Sequence, residues 1–163
     1  MRGKRNRRGG FTMTEMLAAM LILGLMTAAL VGGLPAVLHA YREATVYAES
    51  EVLCGTLSAA LADELRTATG VKVSGTGGIT FNSPGFGVGA AVGSTDDRVT
   101  VGGKDLVGER AYTSGLTAQA EAKVTPGGGE LVTVKISVRG AGRTEEDDPW
   151  AEAEFSVRLL NPP

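Results

Sequence analysis

Cysteine, histidine and tryptophan occur once each in 163 residues, and aromatic side chains make up only 5% of the chain. A core built on large rings is excluded. The lone Cys54 cannot form an intramolecular disulfide. It reads as a small apolar residue in a packed helix, with a redox or lipid-anchoring role as the alternative. The single His39 lies within or beside the longest apolar run, which argues against a triad built on histidine; interfacial placement accounts for it. An excess of one charge is also missing, since 16 Lys and Arg face 18 Asp and Glu for a net −2. That balance argues against a broadly basic nucleic-acid binder. The length suits one domain, or one small domain with an appendage.

What is present is segregated. Arg2, Lys4, Arg5, Arg7 and Arg8 place five of the sixteen positive charges in the first eight residues; without them 11 bases face 18 acids, or −7. Met16 to Tyr41 carries no charge when His39 is neutral, and Met16 to Leu38 is a run of 23 almost wholly apolar residues. About 20 such residues cross a bilayer as a helix. A cationic leader stays cytoplasmic and sends the C-terminal portion across the membrane.

A cleaved secretory signal has the same two regions, and the stretch Val31 to Gly33 offers it a weak cut after Gly33. It leaves Glu15 unexplained. An acid in a membrane helix costs about 2.5–3.5 kcal/mol at the centre and less near an interface, so Glu15 calls for a cation. The leader arginines lie about two turns back, but Gly9-Gly10 interrupts a continuous helix. Cutting after Gly10 would instead create an α-ammonium on Phe11, four residues before Glu15 and close to one helical turn away. Between laterally packed copies the amine of one could meet Glu15 of another. Such a pair is costly to leave half complete, so it can set axial register.

The segment RRGGFTMTEMLAAMLILGLM resembles the class III signal sequence of type IV prepilins and pseudopilins. The pattern is a short basic leader, glycine, phenylalanine, threonine, two variable residues and glutamate, then an apolar helix; Gly10, Phe11, Thr12 and Glu15 match it. The resemblance covers Arg7 to Leu38, about one fifth of the chain. It implies that a prepilin peptidase cuts between Gly10 and Phe11 and methylates the new amine, and that Glu15 serves assembly. The implied partners are that peptidase, other pilin-like subunits in a homo- or hetero-filament, an inner-membrane assembly platform and the lipid bilayer. The family commonly has a proline some way into this helix. Here Gly32-Gly33-Leu34-Pro35 lies deep and is expected to weaken or kink it, with a simple bend of no assembly role as the alternative.

Beyond Arg42 the helical period continues while polarity changes. Val46, Leu53, Leu57, Ala60, Leu61 and Leu65 recur on one face, and Glu43, Glu49, Glu51, Asp63 and Glu64 fall mostly elsewhere. This predicts one amphipathic helix to Ala68. Leu131 to Val138 alternates cleanly, with Val132, Val134, Ile136 and Val138 on one face; Ala153 to Leu160 repeats the device through Phe155, Val157 and Leu159. Weaker strands are read at Val71–Ser74, Ile79–Asn82, Val99–Val101, Ala111–Thr113 and Gln119–Val124, separated by Gly- and Pro-containing turns. Helix first and strands afterwards predicts an α+β fold, with a small antiparallel sheet packed on the helix's apolar stripe. The expected divisions are a cleaved leader 1–10, a membrane and assembly helix 11–40, an amphipathic helix 41–69 and an extracytoplasmic β-rich head 70–163.

Other motifs point to little chemistry. Gly85 to Gly93 lacks the spacing and βαβ setting of a dinucleotide fingerprint and reads as a loop or glycine-tolerant edge strand. Glu145, Glu146, Asp147 and Asp148 form an acidic turn before Trp150; Asp147 and Asp148 are the candidate calcium ligands, against a solvated loop. Trp150 is expected to pack on the sheet edge. Residues 70–163 carry 9 bases and 12 acids, or −3, so no nucleic-acid partner is expected for the head. The combined expectation is a non-catalytic filament subunit without a cofactor. The alternatives are a membrane-anchored or secreted binding domain that never polymerises.

Overall fold

The computed structural model describes residues 10–73, 78–124, 131–140 and 148–159. One helix, α1 (Met13–Thr67), precedes eight strands: β1 (Thr69–Val73), β2 (Ile79–Ser83), β3 (Gly87–Thr95), β4 (Arg98–Val101), β5 (Lys104–Asp105), β6 (Thr117–Val124), β7 (Leu131–Arg139) and β8 (Ala151–Arg158). The layout is α+β, a long N-terminal helix packed against antiparallel sheets, consistent with a pilin-like fold. The chain divides into two units, Met1–Glu43 and Ala44–Pro163, and α1 runs through both.

In the first unit every described residue is exposed. The helix is long and apolar enough to cross a membrane, and none of its most apolar window is buried. Gly32, Gly33 and Pro35, where a weakened or kinked helix is expected, lie inside α1, which continues through them. Pro35 has no N–H to give the carbonyl of Val31, which removes one rung. Leucine and alanine on both sides favour helix strongly enough to continue the ladder.

In the second unit the leucine stripe is buried: Leu53, Leu57, Leu61 and Leu65 are sealed beneath Phe81, Val99, Val101 and the β7 residues Val132, Val134, Ile136 and Val138. Cys54 joins this core as a free thiol, 3% exposed. The strands form two sheets rather than the single one expected, ordered β1-β2-β3-β4-β5 and β6-β7-β8, with every pairing antiparallel. Between them, the segment expected as a strand at Ala111–Thr113 folds instead into 3₁₀ turns at Glu109–Ala111 and Thr113–Gly115. Tyr112, between the two turns, sits at φ −88° and ψ 70°, outside the extended region, and Ser114 and Gly115 just after it take positive φ.

The glycine-rich stretch begins in the turn at 84–86 and from Gly87 runs as a strand that is not at the sheet's edge. β3 lies inside the five-stranded sheet, bonded to β2 and β4. Its side chains are mostly small and exposed, with only Ala90 buried, so period-two alternation left no mark in the sequence. Two-residue hairpins flank β4. Thr95 pairs with Arg98 across Asp96-Asp97, and Val101 with Lys104 across Gly102-Gly103. All four loop residues have positive φ, as the type I′ turn requires, and Gly102-Gly103 meets that demand without steric cost.

Candidate processing and assembly site

At the start of α1, Thr12 and Glu15 bond reciprocally. The Thr12 hydroxyl accepts the Glu15 N–H at 3.3 Å, while Glu15 Oε2 accepts the Thr12 N–H at 2.8 Å and its hydroxyl at 2.9 Å. Thr12 is thus the N-cap and Glu15 the third helical residue of a capping box, and the Met16 N–H reaches the Thr12 carbonyl at 3.2 Å. The sequence reading sought a cation for Glu15 and missed these donors. The threonine three residues before a glutamate, at the head of an apolar run, was the available signal.

Phe11 is 85% exposed, and Gly10 has open space around it: a β-carbon there would meet nothing within 4 Å. Both lie just outside the helix. Residues 1–9 of the leader lie outside the described residues. Along the same helix, Gly24, Ala28, Gly32, Ala36 and Ala40 recur every fourth residue, a small-residue row that allows close approach of helices in lipid. His39 faces Glu43 one turn on, Nδ1 to Oε2 at 3.7 Å, with both side chains exposed.

Elsewhere the groups are structural. Arg98 bonds Asp105 at 3.2 Å and Glu109 at 2.8 Å and stacks 5.9 Å from the Tyr112 ring centroid. Tyr112 Oη in turn accepts the Val99 N–H at 3.0 Å. Burial pushes the Tyr112 phenol above its ordinary range. Trp150 packs at the sheet's end: its backbone N–H reaches the Val138 carbonyl at 2.9 Å, and a β-carbon on Gly140 would lie 3.2 Å from its indole. Of the two candidate calcium ligands, Asp147 lies outside the described residues and Asp148 is exposed. Among the described residues no group of three or more His, Cys, Asp or Glu is arranged to hold a metal.

Comparison with known proteins bears on the N-terminal segment. Residues 5–31 match the family model of the prokaryotic N-terminal methylation motif. No curated protein and no solved structure matches the chain. The chain therefore carries the type IV prepilin-like signal, and the motif supports a type IV pilin-like precursor. The motif marks structural subunits, which are not enzymes; pilin-like subunits are processed by prepilin peptidase and assemble with other pilins. The apolar helix near the N-terminus fits a membrane anchor in such a precursor.

Proposed function

We propose that the chain is a minor pilin or pseudopilin, a structural subunit of a type IV pilus, type II secretion pseudopilus or competence filament. It inserts with its leader cytoplasmic, is cut between Gly10 and Phe11, is methylated on the Phe11 amine, and enters a filament at the cell surface or in the periplasm through α1. The observation that carries this reading is an apolar helix with no residue covered over its membrane-length window, opening directly on the motif that holds Glu15. A monomeric anchor would be served by the apolar run alone.

The capping box supplies the chemistry of a transfer. Before cutting, Thr12 satisfies part of the Glu15 carboxylate and lowers the cost of holding it near lipid. Cutting places an ammonium on the residue beside Thr12, and in the packed filament that amine pairs with Glu15 of a neighbouring copy. Sequencing the mature N-terminus tests processing: methylated Phe11 is expected, whereas retained Met1 or a start near Leu34 contradicts it. Replacing Gly10 with a bulky residue should block cutting. Glu15→Ala should leave cutting intact but impair incorporation, and normal incorporation of that variant contradicts the register role. No cofactor is assigned. Chelation should leave melting unchanged, and a fall restored by calcium but absent from the Asp147→Asn, Asp148→Asn variant would support the calcium alternative instead.

A further inference from the structure

The three-stranded sheet ends on β8, which bonds β7 on one side, and no described strand lies on its other side. Which of its backbone groups face outward follows from β6. There Ala118 and Ala120 give their N–H groups away from β7, to the Asp97 carbonyl at 2.8 Å and to Ser94 Oγ at 3.1 Å. Antiparallel ladders alternate, so β6 bonds β7 through its odd-numbered residues, and β7 turns Val132, Val134, Ile136 and Val138 toward β8. The backbone N–H of Trp150 on the Val138 carbonyl fits this phase. Val157, Phe155, Ala153 and Ala151 lie opposite those residues, which leaves the N–H and C=O groups of Glu152, Glu154, Ser156 and Arg158 pointing away from the sheet.

Charged side chains on an edge strand usually keep other strands off. Here their order is self-complementary about Phe155. A second β8 laid antiparallel with the two Phe155 residues opposed sets Glu152 opposite Arg158, Glu154 opposite Ser156 and Ala153 opposite Val157. The outward-facing residues then fall in hydrogen-bonded pairs, with opposite charges facing at both ends. Glu152 holds Lys135 at 2.9 Å through Oε1, leaving Oε2 for the arginine opposite. Half-buried Phe155 meets its counterpart in a non-hydrogen-bonded pair, where side chains come closest, and loses its remaining exposed surface. Other centres lose this match. Pairing about Glu154 opposes that acid to itself, pairing about Ala153 opposes Glu152 to Glu154, and pairing about Ser156 runs Glu152 past the strand's end.

We propose that β8 is a self-recognition edge, through which two copies of the chain join their three-stranded sheets by antiparallel pairing about Phe155. The occupant is a second copy because each residue of the strand is matched by the one equally far beyond Phe155. The contact also has a direction. Leu53, Leu57, Leu61 and Leu65, on successive turns of α1, are all buried against strands, so this part of the helix lies along the sheet. The two-fold axis of an antiparallel strand pair stands perpendicular to the sheet and therefore reverses the helix. Copies inserted in one membrane with the leader cytoplasmic carry α1 in the same direction. The β8 contact thus joins heads presented from opposite directions, on two filaments or two cell surfaces, and goes beyond the filament reading.

The test uses the full chain in detergent micelles, with self-association followed by sedimentation over a concentration series and folding checked by melting. Glu152→Arg sets like charges opposite each other at both ends of the pair and should weaken association by about tenfold; Arg158→Glu should do the same, and the two together should restore it. Glu154→Pro removes an N–H that points away from β7, so it should abolish pairing while head melting stays near that of the wild type. A wild-type chain that is monomeric up to about 100 μM overturns the contact. So does a dimer indifferent to these changes, as one held through α1 would be, or a folded double variant that fails to recover. None of these readouts depends on cutting or methylation, so their failure leaves the filament reading standing, whereas retained Met1 would overturn that reading and leave the β8 contact intact.

Discussion

The first turn of α1 is closed from both sides by a hydroxyl and a carboxylate three residues apart. Thr12→Ala removes the N-cap and one of the donors to Glu15, and should cost about 1 kcal/mol of local helix stability. Faster amide exchange over Met13 to Met16 in detergent micelles is the expected readout, with exchange in the leucine stripe unchanged. A second residue-scale test concerns Tyr112. Tyr112→Phe strands the N–H of fully buried Val99 and should destabilise the head by about 1–3 kcal/mol in denaturant unfolding. The pH dependence has a definite sign. Burial raises the folded phenol's pKa, so the protonated form is favoured in the fold; its contribution is complete below the unfolded value of about 10 and is lost as pH rises through the folded value. Tyr112→Phe should flatten that alkaline loss.

At the scale of elements, α1 does two kinds of work with one geometry. In its second stretch, Leu57 is 0% exposed, and Leu57→Ala should cost about 2–5 kcal/mol of head stability by thermal or denaturant melting. In its first stretch Leu30 is exposed, and Leu30→Ala should leave that melting unchanged. The stripe and the strands β7 and β8 were legible in the sequence because each buries a face whose period matches its secondary structure. β3 was illegible because glycine and alanine give neither face a signal, and its membership of the sheet depends on hydrogen bonds to β2 and β4 that no local pattern records. The turns after β5 escaped for a different reason. Their conformation is fixed by Glu49, more than sixty residues away in sequence. The candidate site was legible as a motif, through Gly10, Phe11, Thr12 and Glu15, and the spacing of Thr12 and Glu15 also signalled the capping box whose hydrogen bonds the structure shows.

At the scale of the whole molecule, the distribution of side chains separates lipid-facing from water-facing chemistry along a single chain. Residues 10–43 are exposed and mostly apolar, whereas the second unit encloses most of its large apolar side chains and leaves charged pairs such as Lys135–Glu152 at 2.9 Å on its outer face. Surface ion pairs of this kind contribute little, so raising salt should scarcely move head unfolding. Detergent removal should instead aggregate the full chain through residues 16–38, and sedimentation with and without detergent checks this.

The sequestered sulfur of Cys54 gives the folded head an internal clock. A maleimide dye can reach it only when the leucine stripe parts from the strands, so the speed of labelling counts openings of the domain. Neighbours that tighten the head would slow that clock, letting a single native atom report how far embedding in a polymer restrains the breathing of each subunit.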